Sequence, residues 1–153
     1  MSPIRFTRVI ATFIASLSLL VAHAVGSGST ADIFPDQIKW VALPKAIAPG
    51  AEVTILKGPL DKPGDLYELR VRLRNGGMIK PHTHPDTRYV TVLSGELHAG
   101  RGEAIDEKST TRYPAGSFFV VPAGIVHFTW ARNGEVVYQE SGIGPTANDF
   151  LKE

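Results

Sequence analysis

Two histidines, His82 and His84, stand one residue apart in the stretch KPHTHPDTRYVTVLSGE (80–96), and a third, His127, closes the stretch PAGIVH (122–127). On extended backbone, alternate side chains share a face, so both imidazoles of a His-x-His pair can aim at one point. Neutral imidazole is a ligand for borderline transition metals, at ~2.0–2.1 Å for zinc. A lone pair of this kind arises easily on a surface loop. Here Pro81 and Pro85 bracket it and an apolar strand follows. His127 comes after a tight Pro-Ala-Gly turn that starts another strand, so a closed barrel can bring it to the other two. Three imidazoles suit one divalent ion, and the residue types do not separate Fe, Mn, Ni, Cu and Zn. The fourth histidine past the leader, His98, reads as a satisfied barrel histidine.

The elements that must position these residues have a period of two. In YELRVRLR (67–74), Tyr67, Leu69, Val71 and Leu73 fall on one face and Glu68, Arg70, Arg72 and Arg74 on the other. That is a half-buried strand with a solvated charged face. Further strands are predicted over 37–43, 52–58, 88–94, 96–100, 117–122, 126–131 and 135–141. Gly, Pro and Asn signals separate them, among them Asn75-Gly76-Gly77, Ser94-Gly95 and Asn133-Gly134. Many short strands at regular spacing predict an all-β sandwich or barrel. Phe119, Phe128 and Trp130 are expected in the core or a pocket wall.

A chain of 153 residues with 43% hydrophobic side chains is long enough for one domain with a real core. With no cysteine, thiolate catalysis, disulfides and Cys-based zinc sites are excluded. Net charge is +1 and both signs are interspersed, so the basic footprint of a nucleic-acid binder is absent. The first 24 residues have the three parts of a secretory signal: Arg5 and Arg8, an uncharged run over 9–22, and Ala22-His23-Ala24. Cleavage is expected before Val25. Residues 25–35, opening on VGSGST, read as a linker and 36–153 as the domain. Loss of Arg5 and Arg8 leaves 14 basic against 15 acidic side chains, net −1. The expected location is the periplasm or the outside of a bacterium, with no membrane attachment after cleavage.

The spacing of two separated blocks resembles that of a small single-domain cupin. Gly76, His82, His84 and Gly95 match the first cupin motif; Gly116, Pro122, Gly124 and His127 match the second. The resemblance implies a double-stranded β-helix, or jelly-roll barrel, and His82, His84 and His127 as metal ligands. It also implies a homodimer and a small-molecule substrate. Two positions depart from the pattern. Ala131 stands where the second motif has asparagine, and Arg88 where the first has its liganding glutamate. Three dispositions of Arg88 are open. It can point inward beside the histidines, where a buried cation needs an anionic partner, either a substrate carboxylate or enolate or an internal glutamate such as Glu140. It can turn to solvent while Asp86 supplies the carboxylate. Or the site can have lost its metal. The resemblance implies an exported metal-dependent cupin of oxygenolytic, dioxygenase type, with Arg88 holding the substrate anion. Gln139, on a late strand, contacts substrate if it faces inward and solvent if it does not. The alternative is a non-catalytic cupin that binds or senses a small ligand at a weak or degenerate metal site.

Overall fold

Eleven short strands arranged in two antiparallel sheets make up the computed structural model, which describes residues 32–151. The expected leader (1–24) and most of the expected linker lie outside the described residues. One compact unit begins at Ile33. After a single 3-10 turn, Pro35–Gln37, the strands are β1 (Val41–Ala42), β2 (Ala51–Lys57), β3 (Leu66–Leu73), β4 (Met78–Thr83), β5 (Arg88–Ser94) and β6 (Glu96–Arg101). A second 3-10 turn, Glu107–Ser109, precedes β7 (Thr111–Pro114), β8 (Phe118–Val121), β9 (His127–Trp130), β10 (Val136–Ile143) and β11 (Asp149–Phe150). One sheet runs β1-β2-β3-β10-β5-β8, the other β11-β4-β9-β6-β7. This is the all-β jelly-roll architecture that the motif spacing implied.

The two sheets bury their facing sides against each other. Tyr67, Leu69, Val71 and Leu73 of β3 alternate buried with half-buried Glu68, Arg70 and Arg72, as the period of two predicts. They pack with Val90 and Val92 of β5 and Val136 and Tyr138 of β10. Each fully buried aliphatic or aromatic side chain contributes roughly 1.5–3 kcal/mol. The turn before β2 closes the gap to the second sheet: Met78 N–H donates to the Pro49 carbonyl and Lys80 N–H to the Ile47 carbonyl, at 2.9 and 3.0 Å.

Four strands differ from the sequence expectation. The first shrinks to Val41–Ala42, and β4, β7 and β11 are additional. β7 and β11 are short and lie at sheet edges, where pairing with one neighbour decides the conformation and no internal periodicity announces it; β4 carries Pro81 and a bulge, which break the period of two. Gly95, between β5 and β6, shows why the first motif ends on glycine. Its φ is 75°, and a Cβ there would stand 2.3 Å from the Glu135 carbonyl oxygen. No L-side chain tolerates both. Ala131, in the asparagine position of the second motif, is fully buried, and its backbone joins the two motifs. It accepts from Gly76 N–H at 2.7 Å and donates to the Gly77 carbonyl at 2.8 Å.

Candidate metal centre

A bulge aims the histidine pair. In the pairing of β4 with β9, Ile79 lies opposite Thr129 and His82 opposite His127, so β4 uses one residue more than its partner over that interval. Such an insertion shifts side-chain parity. Ile79 faces the interior, and after the bulge at Lys80-Pro81 so do His82 and His84, at 2% and 1% exposure. Pro81 has no N–H to lose, which suits it to a break in the ladder. The turn that delivers His127 is fastened to the first motif by the Gly124 N–H, which donates to the His84 carbonyl at 2.8 Å.

The three rings form a triangle with centroids 4.4–4.8 Å apart, and a ligand nitrogen of each lies within 4.8 Å of the others. Every Nδ1 meets a backbone carbonyl: His82 that of Lys80 at 2.7 Å, His84 that of Ala147 at 2.8 Å, His127 that of Ile125 at 3.0 Å. A carbonyl can only accept, so each Nδ1 carries the proton and each Nε2 keeps a lone pair. The Nε2 of His84 is buried without a partner. Burial holds the His82 ring down to about 3, helped by His127 and opposed by the Lys80 carbonyl. Burial likewise holds His84 to about 3, with the Arg88 cation next in weight. His127 is also lowered, by burial first. All three are neutral at physiological pH, in the tautomer that carbonyl-anchored metal histidines adopt. An orphaned buried acceptor and three fixed Nε2 lone pairs fit a divalent transition ion.

Arg88 points into the barrel and is 5% exposed. Its Nη1 donates to Glu140 Oε2 at 2.7 Å; its Nη2 donates to Thr146 Oγ1, the Ala147 carbonyl and Asn148 Oδ1 at 2.8–3.2 Å. Burial works against this cation, and the negative groups around it, Glu140 first, outweigh it, so the guanidinium stays above the ordinary arginine range. Of the three dispositions, the inward one is observed, with Glu140 as the partner. Asp86 does not join the histidines. It accepts hydrogen bonds from Tyr67 Oη and Thr146 Oγ1, and burial first, then that bond, pushes the Tyr67 hydroxyl up. Both terminal donors of Arg88 are engaged by the protein itself, which leaves the expected grip on a substrate anion without its fork.

Gln139 faces away from the histidines. It accepts from Arg70 Nε at 2.9 Å and donates to Glu68 at 2.7 Å on the outer surface of the first sheet. Strand parity is the reason: Tyr138 and Glu140, buried at 0% and 6%, take the inward positions on β10. His98 is buried on the outer side of the second sheet, bonded to Glu96 at 3.1 Å and Thr110 at 3.4 Å. Phe128 also alternates away from His127 and Thr129, its ring lying over Gly100.

Two cavities lie in this part of the molecule. One, of about 630 Å³, opens on His127 and is walled by Arg101, Thr111, Tyr113, Phe119 and Val121. The other, of about 280 Å³, lies against the Arg88–Glu140 pair and is otherwise mostly apolar, with Leu69, Val71 and Phe150. Sequence patterning does not single out Arg101 or the 146–148 segment. Arg101 was within reach, since Leu97, Ala99 and Arg101 alternate on one face; the segment pairs across sixty residues and leaves no local signal.

Residues 57–149 match the family model described as Cupin. A stretch of 60 residues is 42% identical to germin-like protein subfamily 2 member 2 of Arabidopsis thaliana, covering 39% of this chain and 27% of that one. Germin-like protein 3-1 of Oryza sativa subsp. japonica is 33% identical over 92 residues, 57% of this chain and 41% of its own. The chain thus spans less than half the length of these curated relatives. Among solved structures, an oxalate oxidase superposes with a TM-score of 0.53 at 29% identity, covering 67% of this chain and 55% of that one.

Proposed function

The chain belongs to the cupin family, and from that premise we propose that it is a metal-dependent cupin acting on a small organic molecule by oxygenolytic, dioxygenase-type chemistry. His82, His84 and His127 hold one divalent transition ion. The observation that carries this is the uniform anchoring of the three Nδ1 atoms to carbonyls, with the His84 Nε2 buried and unmatched. A bound ion supplies Lewis-acid polarisation of a coordinated oxygen. The protein's part is to keep three rings neutral, to fix their tautomer, and to offer a walled cavity beside His127. An oxidase that acts on a small acid is among the solved relatives at 29% identity, which supports the oxidative class.

Location and assembly belong to the same proposal. The N-terminal leader supports export to the periplasm or beyond, and no helix of the described residues is long and apolar enough to cross a membrane. Tyr89, Leu93, Phe118 and Val120 are exposed at the β5–β8 edge of the first sheet, and this face supports pairing with a second copy.

A second reading, a non-catalytic ligand-binding cupin, is favoured by one observation. The buried carboxylates Glu140 and Asp86 are both held in bonds, to Arg88 and to Tyr67 and Thr146, and neither is poised as a free base. The test is metal content followed by oxygen uptake. Purified protein is expected to hold about one transition ion per chain and to lose it in His84→Ala and His127→Ala. Iron- or manganese-loaded protein is then assayed for oxygen consumption against diketones, catechols and small carboxylic acids. Failure to retain any of iron, manganese, nickel, copper or zinc overturns the metal centre. Full loading with no oxygen uptake across the panel, together with reversible ligand binding, turns the conclusion to the binding module.

A further inference from the structure

The cavity against Arg88 and the one that opens on His127 differ in charge, and the difference selects a ligand. The smaller one contains Arg88, but that guanidinium is neutralised by Glu140 at 2.7 Å and tied to Thr146, Ala147 and Asn148. The larger one has a cation of another kind. Arg101 ends β6 directly opposite His127 in the β6–β9 pairing, and both line the same space. Residues paired across antiparallel strands carry their side chains about 4.5–5.5 Å apart at Cβ. Among the described residues no carboxylate pairs with Arg101, and the wall of this cavity contains no aspartate or glutamate. Thr111 and Tyr113 line it together with Phe119, Val121 and Ile125, the Tyr113 and Phe119 rings being stacked at 4.1 Å. A guanidinium with a free fork beside a cavity of mixed polar and apolar lining matches a planar carboxylate bidentately.

We propose that Arg101, not Arg88, is the residue that selects the substrate, by binding the carboxylate of a small organic acid whose apolar part lies against Phe119 and Val121. The inference rests on the proposed metal centre and names the ligand class for its open side. Arg88 acts within the protein instead. It keeps Glu140 and the 146–148 segment in place, and through the Ala147 carbonyl it positions His84.

The test uses benzoate and its neutral analogue benzamide, titrated calorimetrically into the full chain after loading with zinc, with zinc content measured first. Benzoate is expected to bind at least tenfold more tightly than benzamide. Arg101→Gln should weaken benzoate about tenfold, the scale of one charge-assisted hydrogen-bonded contact at a partly solvated site, and should leave benzamide and zinc content unchanged. Arg101→Lys, which keeps the charge without the fork, should fall between. The salt dependence of benzoate binding should flatten in Arg101→Gln. Zinc-loaded protein that binds benzoate equally well with and without Arg101, or does not bind it, overturns the inference while the metal centre stands. A chain that takes no zinc overturns the metal centre, and benzoate affinity in that chain still reads the role of Arg101 separately.

Discussion

Arg88→Met removes a buried cation and keeps most of its apolar stem. In the native chain the guanidinium meets Glu140 at 2.7 Å with both side chains about 6–7% exposed. For charge centres on the order of 4 Å apart at an effective dielectric of about 20, the attraction is about 4 kcal/mol. Desolvation offsets part of this, but removal of one partner leaves the other buried and unmatched, which costs about 3–5 kcal/mol. The substitution also releases Asn148 Oδ1 and one of the two donors to the Ala147 carbonyl. The expected loss is therefore about 4 kcal/mol, a large share of the roughly 5–15 kcal/mol that holds a domain folded. Glu140→Met in the same chain removes the stranded carboxylate, so the double variant should recover to within about 2 kcal/mol of native. Urea unfolding of the four members of the cycle, followed by tryptophan fluorescence, measures the coupling. An Arg88→Met variant that loses less than about 1 kcal/mol, the scale of a surface pair, would refute the reasoning. So would a double variant no more stable than Arg88→Met alone.

Three further outcomes are expected. After chelation, stability should be flat above pH about 6.5 and fall below it. Unfolded histidines take up protons there, while folded His82 and His84 stay neutral down to about 3, so the unfolded state binds more protons and each ring costs about 1.4 kcal/mol per pH unit within that window. Urea midpoints at pH 8, 6.5, 5.5 and 5 check this, and midpoints that rise on acidification contradict it. Gly100→Ala would place a Cβ 2.2 Å from Phe128 Cζ, and overpacking of this kind costs about 1–3 kcal/mol; a thermal melt equal to native would show that the ring has room to move. Gln139→Ala should leave metal content unchanged and lower stability by no more than about 1 kcal/mol, the net worth of a typical hydrogen bond, and loss of metal on this substitution would place Gln139 in the centre after all.

What the sequence made legible was whatever is fixed by short spacing. His82, His84, Gly95, Gly124 and His127 sit within two motifs, and each motif folds as two successive strands and the turn between them. The inward position of Arg88 was one of three dispositions left open, with Glu140 among the partners considered. Gln139 was harder, because VVYQES offers an apolar residue on either parity: Val136 and Tyr138 on one, Val137 on the other. Packing against β3 and β5 decides between them, and that is tertiary information. The bulge at Lys80-Pro81 was equally silent, since a His-x-His pair shares a face whichever face it is. The segment after β10 showed neither period nor charge, and its conformation is imposed by Arg88 and by the His84 ring from far back in the chain.

That segment gives the molecule an external indicator of its interior. Residues 144–148 run as an irregular connection with no ladder of their own, the sort of stretch a protease cuts readily. Gly144 and Thr146 are held from elsewhere, their N–H groups donating to the Asp65 and Leu60 carbonyls at 2.8 and 2.7 Å, but Ala147 is held by the His84 ring and by Arg88, and Asn148 by Arg88. Resistance of the Ala147–Asn148 bond to limited digestion thus reports whether the centre is assembled, and a nick there would undo from outside the anchoring of a ring that solvent scarcely touches.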